Sequence, residues 1–211
     1  MKKNQTITSV ILIIAIFLLA SQPSCKTIKD LAQSFTNLQK CKFKLQNVDN
    51  FSLIGISLAN KNSLSQFSIT DAAKLFNAFS SKSFPAEFTL NVSAYNPNDG
   101  SSGTSATTAT LTSFDWQLYI DDVPTISGNI SKPIEIPGSG QTTIIPLTMS
   151  LDLYKFFSNK GYEGIVNLAL AIGGLNGSPA RLKLDAKPTI STPLGAISYP
   201  GRITIIDKEF R

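Results

Sequence analysis

The chain contains no histidine. That absence removes the commonest general base, the Ser-His-Asp and Cys-His nucleophile systems, and imidazole metal sites. Only carboxylate or lysine chemistry remains, so an enzyme is not expected. Charged residues are scarce as well, at 16% against a usual share of about a quarter. Ser, Thr and Asn fill the gap, as they do on turn-rich β proteins. The formal net charge is +5, two units of it from Lys2 and Lys3 near the N-terminus. The remaining basic residues are scattered, without a basic run or aromatic-basic interleaving, which argues against a nucleic-acid partner. No apolar run reaches the ~20 residues of a permanent membrane span. With 42% apolar residues in 211, the chain can bury a core without metal or disulfide.

The N-terminus carries an address. Lys2 and Lys3 precede eleven apolar residues, Val10 to Ala20, and then Ser21-Gln22-Pro23-Ser24-Cys25. This is the order of a bacterial secretory signal peptide, assigned to residues 1–24. Cys25 stands where a lipoprotein carries its acylated cysteine. Ser24 is suitably small before it, whereas Gln22 occupies a place where Leu is usual. The alternative is ordinary cleavage near Ala20 or Ser24, leaving Cys25 to pair with Cys41 in an oxidising compartment. Lys40-Cys41-Lys42-Phe43-Lys44-Leu45 alternates strictly, which puts Cys41 on the buried face of a strand as a small hydrophobe. Cys25 is then the lipidation site. Residues 25–39 read as a tether with weak helical character, and residues 40–211 as one domain.

Strand signals dominate that domain. Segments 40–48 and 51–58 are separated by the turn formers Asp49-Asn50, with Gly55 as a bulge or close approach. A helix is expected over 70–80, capped by Thr70, with Ala72, Ala73, Phe76 and Phe79 as its packed face. Phe88, Leu90, Val92 and Ala94 alternate with polar residues, as do Phe114, Trp116, Leu118 and Ile120. Asp121-Asp122 reads as a hairpin turn before a strand from Val123 to Ile130. Residues 133–140 read as a loop. Ile145, Leu147 and Met149 mark one face of a strand whose Pro146 suggests an edge. A short helix is expected over 151–157. Ile165 to Ile172, nearly all apolar, reads as a strand buried on both faces. Leu182, Leu184 and Ala186 alternate, 188–201 is loop-rich, and 203–206 closes the chain. Many short alternating strands with one or two helices argue an all-β fold, a β-sandwich.

The stretch 88–98 (FTLNVSAYNPN), then 114–130 (FDWQLYIDDVPTISGNI), then the IPGSG loop at 136–140 resembles the LEA type 2, or WHy, family. Asn96, Pro97, Asn98, Gly128 and Gly138 match its pattern, and Asp122 stands where a turn Gly is common. The resemblance implies an immunoglobulin- or fibronectin-III-like sandwich and a link to desiccation or envelope stress. It supplies no catalytic residues.

Asp115, Asp121 and Asp122, and the Asn98-Asp99-Gly100 corner, lack the spaced ligand set of a cation loop, so no metal or cofactor is expected. Asn96, Pro97 and Asn98 are a structural turn, and Trp116 is core. Tyr95 and Tyr119, on the polar faces of their strands, are candidates for a partner surface. Lys40, Lys42 and Lys44 form a stripe suited either to anionic lipid or to guarding a sheet edge. The expected protein is a lipid-anchored, non-catalytic module of the bacterial cell envelope, on the outer membrane or periplasmic face, with an unknown protein or lipid partner. The alternatives are a periplasmic carrier of a hydrophobic ligand and a structural subunit of an envelope assembly.

Overall fold

The structure is a computed structural model that describes residues 25–101, 106–173, 180–192 and 195–210. The expected signal peptide lies outside the described residues. Two antiparallel sheets pack face to face. The first has the order β2 (Ile56–Ser57), β1 (Lys42–Leu53), β3 (Pro85–Tyr95), β7 (Thr142–Asp152). The second runs β10 (Ile203–Phe210), β8 (Ala180–Thr192), β4 (Ala109–Ile120), β5 (Val123–Gly128). Two short strands extend it: β6 (Ile134–Ile136) pairs with β4, and β9 (Gly195–Ser198) pairs with β8. The expected sandwich is therefore the observed fold.

Alternation explains the core. Phe88, Leu90 and Val92 of β3, Phe114 and Leu118 of β4, Ile145 and Leu147 of β7, and Leu182 and Leu184 of β8 are all buried. Aromatic contacts help to close the space between the sheets. The Phe43 and Phe114 rings lie 5.5 Å apart, and Phe51 stacks on Phe88 at 4.9 Å. Asp121 and Asp122 take φ of 49° and 61°, so a two-residue turn joins β4 to β5. Asp tolerates this left-handed geometry better than most non-glycine residues. Pro146 lies on β7, the edge of the first sheet, where a missing N–H costs the ladder nothing.

Several elements differ from expectation. Asp49-Asn50 is not a turn: β1 runs through it, and the register slips between Asp49 and Ser52 where Asn50 adopts φ 54°. The extra residue is absorbed as a bulge. The chain reverses instead at Ile54-Gly55, which brings Ile56 opposite Leu53. Residues 133–140 include β6, and 188–201 include the end of β8 and all of β9.

Among the described residues, four α-helices accompany the sheets: α1 (Cys25–Lys40), α2 (Ile69–Ser80), α3 (Leu153–Phe157) and α4 (Gly161–Ile172). The tether is thus continuously helical, and Lys40 ends α1 rather than opening a strand. Ser68, not Thr70, caps α2, its side chain accepting from the Asp71 N–H at 3.0 Å. The packed face of α2 is also rotated from the expected one. Leu75 is buried, while Ala72, Ala73 and Phe76 are exposed. The run Ile165–Ile172 is helical. Seven of its eight residues are buried, against α3, β8 and neighbouring turns. Burial on every side erases the polar stripe by which a helix is distinguished from a buried strand. Among the described residues no helix is long and apolar enough to cross a membrane.

Gly128 explains one feature of the motif. A Cβ there would collide with the indole of Trp116, which lies across it in the ladder and is 5% exposed. Gly128→Ala must displace a packed Trp, and overpacking of this kind costs about 1–3 kcal/mol. Urea unfolding should show that loss at unchanged m-value. A variant as stable as the parent would show that the ring is free to move.

Candidate functional site

Two side chains of the Asn-Pro-Asn motif, with Asn37 of α1, tie the start of the domain together. Asn96 is 1% exposed and uses its whole amide. Its Nδ2 donates to the carbonyls of Thr107 (2.8 Å) and Ile136 (2.9 Å). Its Oδ1 accepts from the Asn98 backbone N–H (3.1 Å) and Nδ2 (2.6 Å). Asn98 Nδ2 also donates to the carbonyl of Asn37 in α1 at 3.3 Å, and Asn37 Nδ2 to Thr107 Oγ1 at 3.1 Å. Gly138 fits against this knot. A Cβ there would meet the backbone of Asn98 and the Thr107 carbonyl, the latter at 2.6 Å.

Cys25 and Cys41 sit at opposite ends of α1. Sixteen residues at 1.5 Å each separate them by about 24 Å, and a disulfide needs Cα atoms within about 7 Å. Cys41 is a free, buried thiol donating to the Asn37 carbonyl at 3.4 Å. Burial pushes its pKa up to about 11, which keeps it protonated and unreactive at neutral pH.

The remaining candidates divide between two faces. Tyr119 lies on the outer face of the second sheet, with the Lys183 ammonium 4.8 Å above its ring. Three ion pairs form on the second sheet's side: Arg202 with Asp115 (2.6 Å), Lys183 with Asp185 (3.2 Å), and Lys160 with Asp121 (2.9 Å). Asp115 and Asp121 therefore serve separate ion pairs. Asp99 turns inward on its own loop, where hydrogen bonds from Ser101 hold its carboxyl below the usual range. Among the described residues no three His, Cys, Asp or Glu side chains gather as metal ligands.

Tyr95, Lys42 and Lys44 lie on the outer face of the first sheet. Lys42 pairs with Tyr95, Lys44 with Ser93, and Tyr95 with Thr142 across the ladder. Together with Phe43 they line an open depression of about 580 Å³. Lys40, on α1, is not among its lining residues. Lys42 and Lys44 have no counter-ion among the described residues. This half of β1 has β3 on one side only, because β2 pairs no further than Ser52. Ser93 was not singled out from the sequence. It lies at the floor of the depression, 4% exposed, and its hydroxyl has no hydrogen-bond partner among the described residues.

No family model and no curated protein matches this sequence. Among solved structures, the chain is similar to a crystal structure of a protein from Archaeoglobus fulgidus, with TM-score 0.38 and 13% identity over 79% of this chain and 96% of that one. It is also similar to the solution structure of a candidate late embryogenesis abundant (LEA) protein, with TM-score 0.40 and 15% identity over 99% of this chain and 84% of that one.

Asn96→Ala would take a hydrogen-bond partner from the buried Ile136 carbonyl, the partly buried Thr107 carbonyl and the turn N–H of Asn98. Each orphaned buried group costs about 1–3 kcal/mol. Thermal unfolding should show a loss of at least 2 kcal/mol, and hydrogen exchange should show α1 and the 134–138 segment opening together. A loss confined to one of them would mean that Asn96 does not couple the segments.

Proposed function

We propose that this chain is a lipid-anchored, non-catalytic module of the bacterial cell envelope, an LEA type 2-like sandwich that acts by surface contact in binding or stress protection. The observation that carries the reading is the helical separation of the two cysteines. Cys41 is sequestered in the core, and Cys25 stands a helix length away with no thiol to pair with. That leaves Cys25 available for acylation. Several acyl chains on one cysteine hold a protein firmly at a bilayer. Support for surface action comes from the core, where Phe88, Phe114, Leu90 and Leu118 are 0–2% exposed. A carrier of an apolar ligand needs that space open.

Intact mass of the native, membrane-extracted protein tests the anchor. The mature chain should begin at Cys25 with added acyl mass, and Cys25→Ala should no longer fractionate with membrane. An unacylated chain would remove the reading.

A second reading, a subunit of an envelope assembly, is favoured by α2. Ile69 is 92% and Phe76 59% exposed, with exposed Ala72 and Ala73 between them. The spacing makes one apolar ridge of the helix, of the sort that marks a protein contact. Light scattering on the detergent-extracted protein should then give a mass above the monomer that Phe76→Ser reduces. A monomeric parent would dismiss it.

A further inference from the structure

Lys42, Lys44, Ser93, Tyr95 and Thr142 each present a donor to the depression on the first sheet, and none of these donors has a protein acceptor among the described residues. No carboxylate lines the depression. We propose that it is a phosphate-binding site, and that the phosphate is that of an anionic phospholipid headgroup. The choice of lipid over a soluble phosphate rests on the membrane-anchored reading above; the anion chemistry does not.

The geometry suits a tetrahedral anion. Lys42 and Lys44 are two residues apart on one strand, so their side chains leave the same face about 7 Å apart. Ser93 and Tyr95 stand beside them on β3, and Thr142 lies one strand further. Two ammoniums thus flank a set of hydroxyls. Ser93 sits at the floor of the depression, where its hydroxyl has no protein partner among the described residues and is open to donate to an oxygen seated above it. A neutral sugar would leave the two ammoniums without a counter-charge, which an anion supplies. The depression also begins two residues after α1 ends, on the tether side of the sandwich. An anionic leaflet attracts such lysines, with a gain of about fivefold in affinity for each.

The test uses the chain from residue 25 onward with Cys25→Ala, so that no acyl chain contributes. All the sandwich elements described above lie within it. Association is measured with vesicles of phosphatidylcholine alone and of phosphatidylcholine with phosphatidylglycerol, and inorganic phosphate is titrated separately. The phosphatidylglycerol vesicles should bind and the others should not. Lys42→Gln and Lys44→Gln should each weaken binding about fivefold, and the pair about thirtyfold. Ser93→Ala, which changes no charge, should weaken it further at unaltered thermal midpoint. Equal binding by the double lysine variant would overturn the proposal. So would indifference to Ser93→Ala, which would mean diffuse charge attraction without a site. Saturable binding of inorganic phosphate with no vesicle association would overturn the lipid assignment. Because the acyl anchor is absent throughout, none of these results depends on whether Cys25 is acylated in the native protein.

Discussion

The fold depends on one buried amide. Asn96 is withdrawn from water and has both donors and its oxygen engaged. A primary amide in that position is tolerable only when every bond is made, because each missing one costs as much as a typical core mutation. Its partners belong to the turn after β3, the lead-in to β4, and β6. Through Asn98 and Asn37 the same knot reaches α1. These segments are distant in sequence and must arrive together. Gly138 is part of the same condition, since any side chain there would push the 136–140 loop off the Asn98 and Thr107 backbone.

The opposite end of β3 is held by a different group. Asp152 Oδ1 accepts from the Phe84 N–H at 2.7 Å and from the Tyr154 N–H at 3.0 Å, so one carboxylate both fastens the start of β3 and caps α3. The eleven residues of β3 place these two poles about 34 Å apart. The molecule is accordingly polarised. One pole carries the tether helix and lies beside the lysine depression. The other carries α2 and α4, with the exposed Ile69–Phe76 ridge.

How much of this was legible follows from what was buried on one side only. Strands β3, β4, β7 and β8 alternate cleanly because one face meets the core and the other meets water. The alternation failed where that asymmetry vanished. Ile165–Ile172 is apolar throughout, and its period disappears with its polar face; only Leu168, Ala169, Leu170 and Ala171, good helix formers between Gly161 and Gly173, pointed to a helix. In α2 two apolar ridges compete. One contains Leu75 and Phe79, the other Ile69, Ala72, Ala73 and Phe76, and the sequence alone cannot say which meets the sheet. Asp49-Asn50 has turn chemistry, yet β1 is paired with β3 on both sides of it, and tertiary pairing outweighed the local preference. At the candidate site, Lys42, Lys44 and Tyr95 were readable from period two. Ser93 was not, because a serine on a polar strand face reads as solvated. Its burial comes from neighbours on two other strands.

The two outer faces then differ in a way that bears on function. The second sheet carries ion pairs that are already made. Arg202, Lys183 and Asp115 are engaged with one another's neighbours, and Lys183 also covers Tyr119. A partner approaching there must first break pairs that already exist, and exposed pairs of this type return little when exchanged. The first sheet has cations and hydroxyls in place with nothing to be broken first. A filled core leaves no interior volume for a ligand, so recognition falls to the surface. Of the two surfaces, the one whose donors are unmatched gains most from an incoming anion. The difference between the faces thus lies in which donors are already engaged, and not simply in the number of charges.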